Sequence, residues 1–268
     1  MTVTDVVIGA ASGMGEALAR RIATPDRRLL LVDRDLEGAQ RLAAELGAQA
    51  MGGDITDGAD LAAVASAAGE LGALVLTAGL SPTMAPGRKI FEVDIIAPAR
   101  LLAVFEPVAG PGTVGLLFAS MAGHFFPDDP AVDAILDRPL AGSFFDDLVA
   151  AGVDVDEPGL AYGYSKRGLL RLVRREAGAW GARGARLLSL SPGIIDTPMG
   201  RAEDAAQPAM AQMVEGSALA RVIAADEVAA VAQFLVSPAA SALTGTDVLV
   251  DGGAVAAITA PRLPPAEG

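Results

Sequence analysis

Residues 160–170 read LAYGYSKRGLL, and three of them carry groups able to move or steady a proton. Tyr162 and Tyr164 are the two tyrosines of the chain, and Lys166 is one of only two lysines, the other being Lys89. Residues four apart on a helix stack on one face, whereas residues two apart diverge. A helix over this stretch therefore pairs Tyr162 with Lys166 and turns Tyr164 elsewhere. A free phenol ionises near a pH of about 10, and an adjacent ammonium favours its phenolate. Tyr162 is thus the candidate acid/base, and Tyr164 a packing or pocket-wall residue. The same spacing also suits two residues on an ordinary helix surface.

A second cluster lies in VVIGAASGMGEALARRIA, where Gly9, Ser12, Gly13, Met14 and Gly15 lead from an apolar run into a helical one. Glycines at such a mouth permit a tight turn and close backbone approach, and a helix N-terminus offers free N–H groups to a pyrophosphate. A plain strand–helix turn would read the same way. What favours a dinucleotide is Asp33, at the end of the next apolar run and near the offset at which an acidic residue binds ribose hydroxyls. A carboxylate there repels a 2′-phosphate, which favours NAD over NADP; Arg34, which follows it, would instead accommodate that phosphate. Asp33 reads otherwise as a solvent-facing strand end. Asp54, in GGDITD, equally suits a helix cap or a turn.

The elements that must hold these groups alternate along the chain. Strands are expected at 5–9, 28–33, 47–54, 73–79, 113–120, 185–193 and 246–253, and helices near 13–23, 37–46, 58–69, 88–108, 162–180 and 226–236. The strands are almost wholly apolar rather than alternating, as in a parallel sheet covered on both faces. That order implies a doubly wound α/β fold with helices on both faces, in a single domain over 1–268. Two connections break the rhythm, 121–161 and 198–224, and connections of that length in a compact domain are usually functional. The closing APRLPPAEG is proline-rich and expected to be loose.

Composition excludes several classes of function. A net charge of −13 argues against nucleic acid and acidic lipid headgroups as partners. The chain has no cysteine, hence no disulfide framework, thiolate nucleophile or zinc site of the usual kind. The pairs Asp128–Asp129 and Asp146–Asp147 lack a spaced ligand set, so no metal is expected. No apolar run is long enough for a membrane span, and the first residues lack a basic signal segment, so a cytoplasmic protein is expected.

GAASGMG at 9–15, GDITD at 53–57, TAG at 77–79, SMAG from Ser120, YGYSK from Tyr162, SPGIIDTP at 191–198 and VDGG at 250–253 occur in one order. Together they resemble the short-chain dehydrogenase/reductase family over nearly the whole chain. The resemblance implies a Rossmann-like, seven-stranded parallel sheet, a nicotinamide cofactor and no metal. It also implies that Ser120 holds the substrate oxygen, that Tyr162 exchanges its proton, and that Lys166 binds the nicotinamide ribose and lowers the tyrosine pKa. By the same resemblance Gly9, Ser12, Gly13, Met14 and Gly15 meet the pyrophosphate. Asp33 and Arg34 meet the adenosine ribose region, Asp54 and Ile55 the adenine, Ala78 and Gly79 the sugar region, and Pro192, Gly193, Ile195 and Thr197 the nicotinamide end.

The sequence departs from the family pattern at Ile8, at Thr77 and, with more consequence, at Asp94, which stands where an asparagine usually holds a water beside the lysine. An anion at 94 would oppose phenolate formation at Tyr162 and alter the pH dependence. The 121–161 insertion is similar to those of bacterial 3α-hydroxysteroid dehydrogenase/carbonyl reductases and of coniferyl-alcohol dehydrogenase-like members. It holds Phe125, Phe126, Phe144 and Phe145, which form either an aromatic lid over the site or a small core of their own. His124, the one histidine, either touches substrate or is structural. The resulting expectation is an NAD-dependent dehydrogenase of a bulky or cyclic secondary alcohol, reversible to the ketone, working as a homodimer or tetramer. The alternatives are an NADPH-dependent ketoreductase and a nicotinamide-binding sensor without turnover.

Overall fold

The computed structural model describes residues 3–126, 128–206 and 209–260. Strands β1 (Thr4–Ile8), β2 (Arg28–Asp33), β3 (Gln49–Gly52) and β4 (Leu71–Leu76) alternate with helices α1 (Gly13–Ile22), α2 (Leu36–Leu46) and α3 (Gly58–Ala68). Then come α4 (Gly87–Phe91), α5 (Ala97–Phe105), β5 (Val114–Phe118), α6 (Pro130–Leu136), α7 (Phe144–Ala150), α8 (Pro158–Ala182) and β6 (Arg186–Pro192). The chain continues through β7 (Ile195–Asp196), α9 (Pro198–Ala206), α10 (Ala209–Gly216), β8 (Ile223–Ala224), α11 (Ala225–Val236), β9 (Asp247–Val250) and α12 (Ala254–Thr259).

Seven strands form one parallel sheet in the order β3-β2-β1-β4-β5-β6-β9. The expected strands are all present, β2 as expected, β1 and β4 starting one and two residues earlier and the others shortened, and the Rossmann-like fold is as the motifs implied. Successive strand residues feed opposite faces. Val6, Ile8, Leu30, Val32, Leu74 and Leu76 join the core against α3, α5 and α8, whereas Val7, Leu29, Leu31, Ala73 and Val75 join that against α1, α2 and α11. Burial on both faces is why these strands lack polar alternation. From β1 the chain winds outward to β3 and from β4 outward to β9, so the order reverses between β1 and β4. A crevice opens at such a switch point, beyond the carboxyl ends of the strands.

The single helix expected over 88–108 is instead two α-helices joined by a π turn at Glu92–Ile96. Pro98 has no N–H for the carbonyl of Asp94 four residues back, and its ring crowds that carbonyl. The Ala97 N–H reaches past to the Glu92 carbonyl, and the widened turn centres on Asp94.

The insertion does not stand off from the fold. Val132, Leu136, Phe144, Leu148, Val153 and Val155 are buried in the main core. An arginine ladder on α8 fastens it from outside. Arg167 grips Asp133 through Nε and Nη2 at 2.7 Å each and donates to the Phe126 carbonyl, while Arg171 grips Asp137 at 2.8 and 2.6 Å. Asp129 caps α6. No helix among the described residues is long and apolar enough to cross a membrane.

Candidate active site

A cleft of about 690 Å³ lies at the switch point. Its floor is the β1–α1 turn, where Gly9 and Gly13 have φ of 90° and 59°, a backbone region that side chains disfavour. A Cβ on Gly15 would strike the Gly9 carbonyl and the Thr77 hydroxyl. Thr77, where the family pattern favours asparagine, donates to the carbonyls of Ile8 and Gly9 at 3.0 Å each, tying β4 to this turn. Ser12 precedes α1 in extended conformation without capping it, so the first N–H groups of α1 meet no side-chain acceptor. With Met14 beside them, these features fit the pyrophosphate of a dinucleotide.

At the end of β2, Asp33 accepts the Ala11 N–H on Oδ2 and the Asp35 N–H on Oδ1, both at 2.9 Å. Its carboxylate is thereby fixed at the cleft rim. Arg34 turns toward Asp54, with Nε 3.7 Å from Oδ2. Asp54 is a turn former rather than a cap: Oδ1 accepts from the Thr56 N–H and hydroxyl at 2.8 and 2.7 Å, and the backbone bond above all holds its carboxyl below the usual range. Asp57 caps α3 instead. Ile55, Ala78 and Gly79 line the same cleft.

At the other end of the cleft stand Tyr162 and Lys166, one helical turn apart on α8 as the spacing required. The Lys166 ammonium lies 5.4 Å from the centre of the Tyr162 ring. Ser120, after β5, stands beside Tyr162 at the edge of the cleft, where its side chain favours the phenolate, and accepts the Ala122 N–H at 3.1 Å. Tyr164 faces away, its ring centroid 4.5 Å from that of Phe126.

Behind them Asp94 is 1% exposed and Lys166 5%. Asp94 Oδ2 lies 3.0 Å from Lys166 Nζ, at an angle ill suited to a hydrogen bond, and Oδ1 accepts the Leu80 N–H at 2.8 Å. Burial pulls Lys166 toward neutrality, but the Asp94 carboxylate, with Tyr162 and Glu203, more than offsets it and holds the ammonium. Burial pushes Tyr162 above the usual phenol range; Lys166 and Ser120 act against it, and the carboxylates of Asp94 and Glu203 add to it. The lysine thus acts in the implied direction, but burial, with smaller pushes from Asp94 and Glu203, leaves the tyrosine displaced upward.

A smaller cavity of about 70 Å³ adjoins the cleft. Ser120, Pro192, Gly193 and Ile195 line it, and Met14, Tyr162 and Thr197 border both spaces. Every expected binding residue therefore borders one of the two, and Asp94 stands behind Lys166. Its outer wall is Ile194, Met199, Met210 and Glu203. Nothing in the spacing of 198–224 singles out Glu203; only the return of α9 over Tyr162 does.

The aromatic lid is not what the insertion builds. Phe144 and Phe145 pack edge-on against Phe91, with centroids 5.8 and 6.0 Å away, and none of the four insertion phenylalanines lines either cavity. His124 also points elsewhere, its Nε2 lying 3.0 Å from Asp247 Oδ2 and 3.2 Å from Ser191 Oγ. One ring nitrogen meets both groups, so the three form a structural clamp rather than a relay.

Residues 4–97 match the short chain dehydrogenase family and residues 147–255 the Enoyl-(Acyl carrier protein) reductase family. The chain is 32% identical over 269 residues to the short-chain dehydrogenase/reductase bsc3 of Alternaria brassicicola, with 96% of this chain and 97% of that protein covered. It is 33% identical over 257 residues to the D-threitol dehydrogenase of Mycolicibacterium smegmatis, covering 92% and 91%. Among solved structures, the 3-alpha-hydroxysteroid dehydrogenase from Pseudomonas sp. B-0831 complexed with NADH superposes with a TM-score of 0.77 at 25% identity, covering 97% of this chain and 100% of that one. With its ordered motifs gathered at one switch point and relatives spanning nearly its full length, the chain belongs to the short-chain dehydrogenase/reductase family and is an NAD(P)-dependent oxidoreductase of alcohols and carbonyl compounds.

Proposed function

We propose that the protein is an NAD-dependent dehydrogenase interconverting a bulky or cyclic secondary alcohol and its ketone, with Tyr162 as general acid/base. The observation that carries this reading is the meeting of the Ser120 and Tyr162 hydroxyls where the cleft joins the smaller cavity, with Lys166 behind them. A bound nicotinamide supplies the hydride acceptor for oxidation, or the hydride donor for reduction. Tyr162 takes the hydroxyl proton of the alcohol in oxidation and returns it to the carbonyl oxygen in reduction. The Ala122 N–H occupies one lone pair of Ser120, leaving its O–H to donate to the substrate oxygen. Lys166 steadies the phenolate and has its remaining donors for the nicotinamide ribose. The preference for NAD rests on the fixed Asp33 carboxylate and on Arg34 being turned to Asp54. Ile194, Met199 and Met210 offer an adaptable apolar wall to the substrate skeleton.

One observation favours a second reading, a ketoreductase: the upward displacement of Tyr162 favours the direction in which it gives its proton. Both readings are tested by following nicotinamide oxidation and reduction with NAD(H) and NADP(H) across secondary alcohols and their ketones. Turnover with NAD that falls by about 10²–10⁴ in Tyr162→Phe and survives in Tyr164→Phe supports the proposal. Equal losses in both variants overturn the helix-face argument. Cofactor binding without turnover on the whole panel leaves a nicotinamide-binding sensor.

A further inference from the structure

The proton transfer just described leaves one carboxylate of the site without a task. Glu203, on α9, lines the smaller cavity together with Ser120 and Tyr162. Burial pushes its carboxyl above the usual range, while the nearby Ser81 hydroxyl and the charge of Lys166 favour its anion. Ser81 is itself buried, with its hydroxyl 3.0 Å from Thr83 Oγ1. Among the described residues no arginine or lysine closes an ion pair on Glu203; Lys166 is taken by Asp94, and Arg201 by Asp196.

A desolvated carboxylate is costly unless donors reach it. It has about four acceptor positions, and only the Ser81 hydroxyl, itself paired with Thr83, stands near enough to act on it. The rest of the outer wall, Ile194, Met199 and Met210, offers no side-chain donor. Glu203 is only partly buried, so water meets its free oxygens until a substrate, whose carbinol is placed by Ser120 and Tyr162, brings a donor in its place. The cavity that Glu203 shares with Ser120 and Tyr162 is small, about 70 Å³. Only a group close to the carbinol carbon fits there.

We propose that Glu203 is the specificity residue of the alcohol site: it accepts a hydrogen bond from a second substrate hydroxyl on a carbon next to the carbinol, which makes vicinal diols and polyols the preferred substrates. The inference rests on the dehydrogenase reading and narrows it. It also assigns a polar contact to one side of a cavity otherwise shaped for an apolar skeleton.

The test compares matched pairs, 1,2-cyclohexanediol against cyclohexanol and 2,3-butanediol against 2-butanol, in wild type, Glu203→Gln, Glu203→Asp and Ser81→Ala. In wild type kcat/KM for each diol is expected to exceed that of its partner by about ten- to a hundredfold, the usual scale of a hydrogen bond to a charged group. That ratio is expected to collapse toward one in Glu203→Gln, mainly through KM, to recover in part in Glu203→Asp, and to persist in Ser81→Ala. Turnover of both partners without diol preference in wild type would overturn the proposal and leave the dehydrogenase reading standing. The same holds if Glu203→Gln lowers diol and mono-alcohol rates by one common factor, since Glu203 would then act only through Tyr162. Absence of turnover on every alcohol would overturn the dehydrogenase reading, and this inference with it.

Discussion

Replacing Asp94 by asparagine separates charge from shape at the most buried ion pair of the site. At the observed 3.0 Å, two unit charges attract by roughly 5.5 kcal/mol at an effective dielectric of about 20. Each ion gives up several kcal/mol of hydration in return, so the intact pair is near break-even. Removing one partner is different, because Lys166 stays buried without its anion, a loss of about 3–5 kcal/mol. Asparagine keeps the acceptor for the Leu80 N–H, so the low end, about 3 kcal/mol, is expected. At about 2–4 °C per kcal/mol, the melting temperature should fall by roughly 6–12 °C. The kinetic effect has a definite sign. Alcohol oxidation needs Tyr162 deprotonated, and the Asp94 carboxylate is one cause of its raised pKa. The Tyr162 phenolate and the Glu203 carboxylate also favour the Lys166 ammonium and keep it charged once Asp94 is neutral, so Asp94→Asn should move the acid limb of the kcat/KM profile for oxidation to lower pH. Melting curves and pH–rate profiles on the same preparations measure both effects. An acid limb that stays in place or moves upward would refute the electrostatic argument, whatever the melting temperature does.

Three further outcomes follow from the geometry. Asp33→Ser should raise kcat/KM for NADP and lower it for NAD, each by about tenfold or more on the scale of hydrogen bonds to charged groups; an unchanged cofactor ratio would remove Asp33 from ribose recognition. Arg167→Met should cost about 2–3 kcal/mol in urea unfolding by releasing the bidentate grip on Asp133. The Arg167 hydrogen bond is the main cause of the lowered Asp133 pKa. A carboxyl lower in the folded than in the unfolded chain stabilises above its unfolded value and loses that contribution as pH falls through the folded one. Wild type should therefore lose stability below a pH of about 4 more steeply than the variant. Phe144, 2% exposed against Phe91 and away from both cavities, should cost about 3–5 kcal/mol when replaced by alanine, with kcat/KM within about threefold of wild type; a large kinetic loss would restore the lid.

The sheet was legible in the sequence, because strands buried on both faces must be apolar through their middles, and Val6–Ile8, Leu29–Val32 and Ala73–Leu76 are. It determined the pairing of Tyr162 with Lys166, because helical periodicity is local and needs no tertiary information. The glycine turn and Asp33 were legible for the same reason: each is a short-range demand of backbone and strand end. Tertiary structure alone decided the rest. The π turn that aims Asp94 at Lys166 arises where Pro98 breaks a hydrogen-bond ladder while α8 packs alongside. The two-residue pairing of β7 with β8 is too short for a period and forms only when the 198–224 connection folds back. Phe144 and Phe145 read equally as lid or core, since an apolar run records that a residue is buried but not by what. Glu203 was invisible for the complementary reason: a carboxylate in a helical stretch looks solvated until the fold lays that helix over Tyr162, and only the accumulated path of the chain, a long-range quantity, does so.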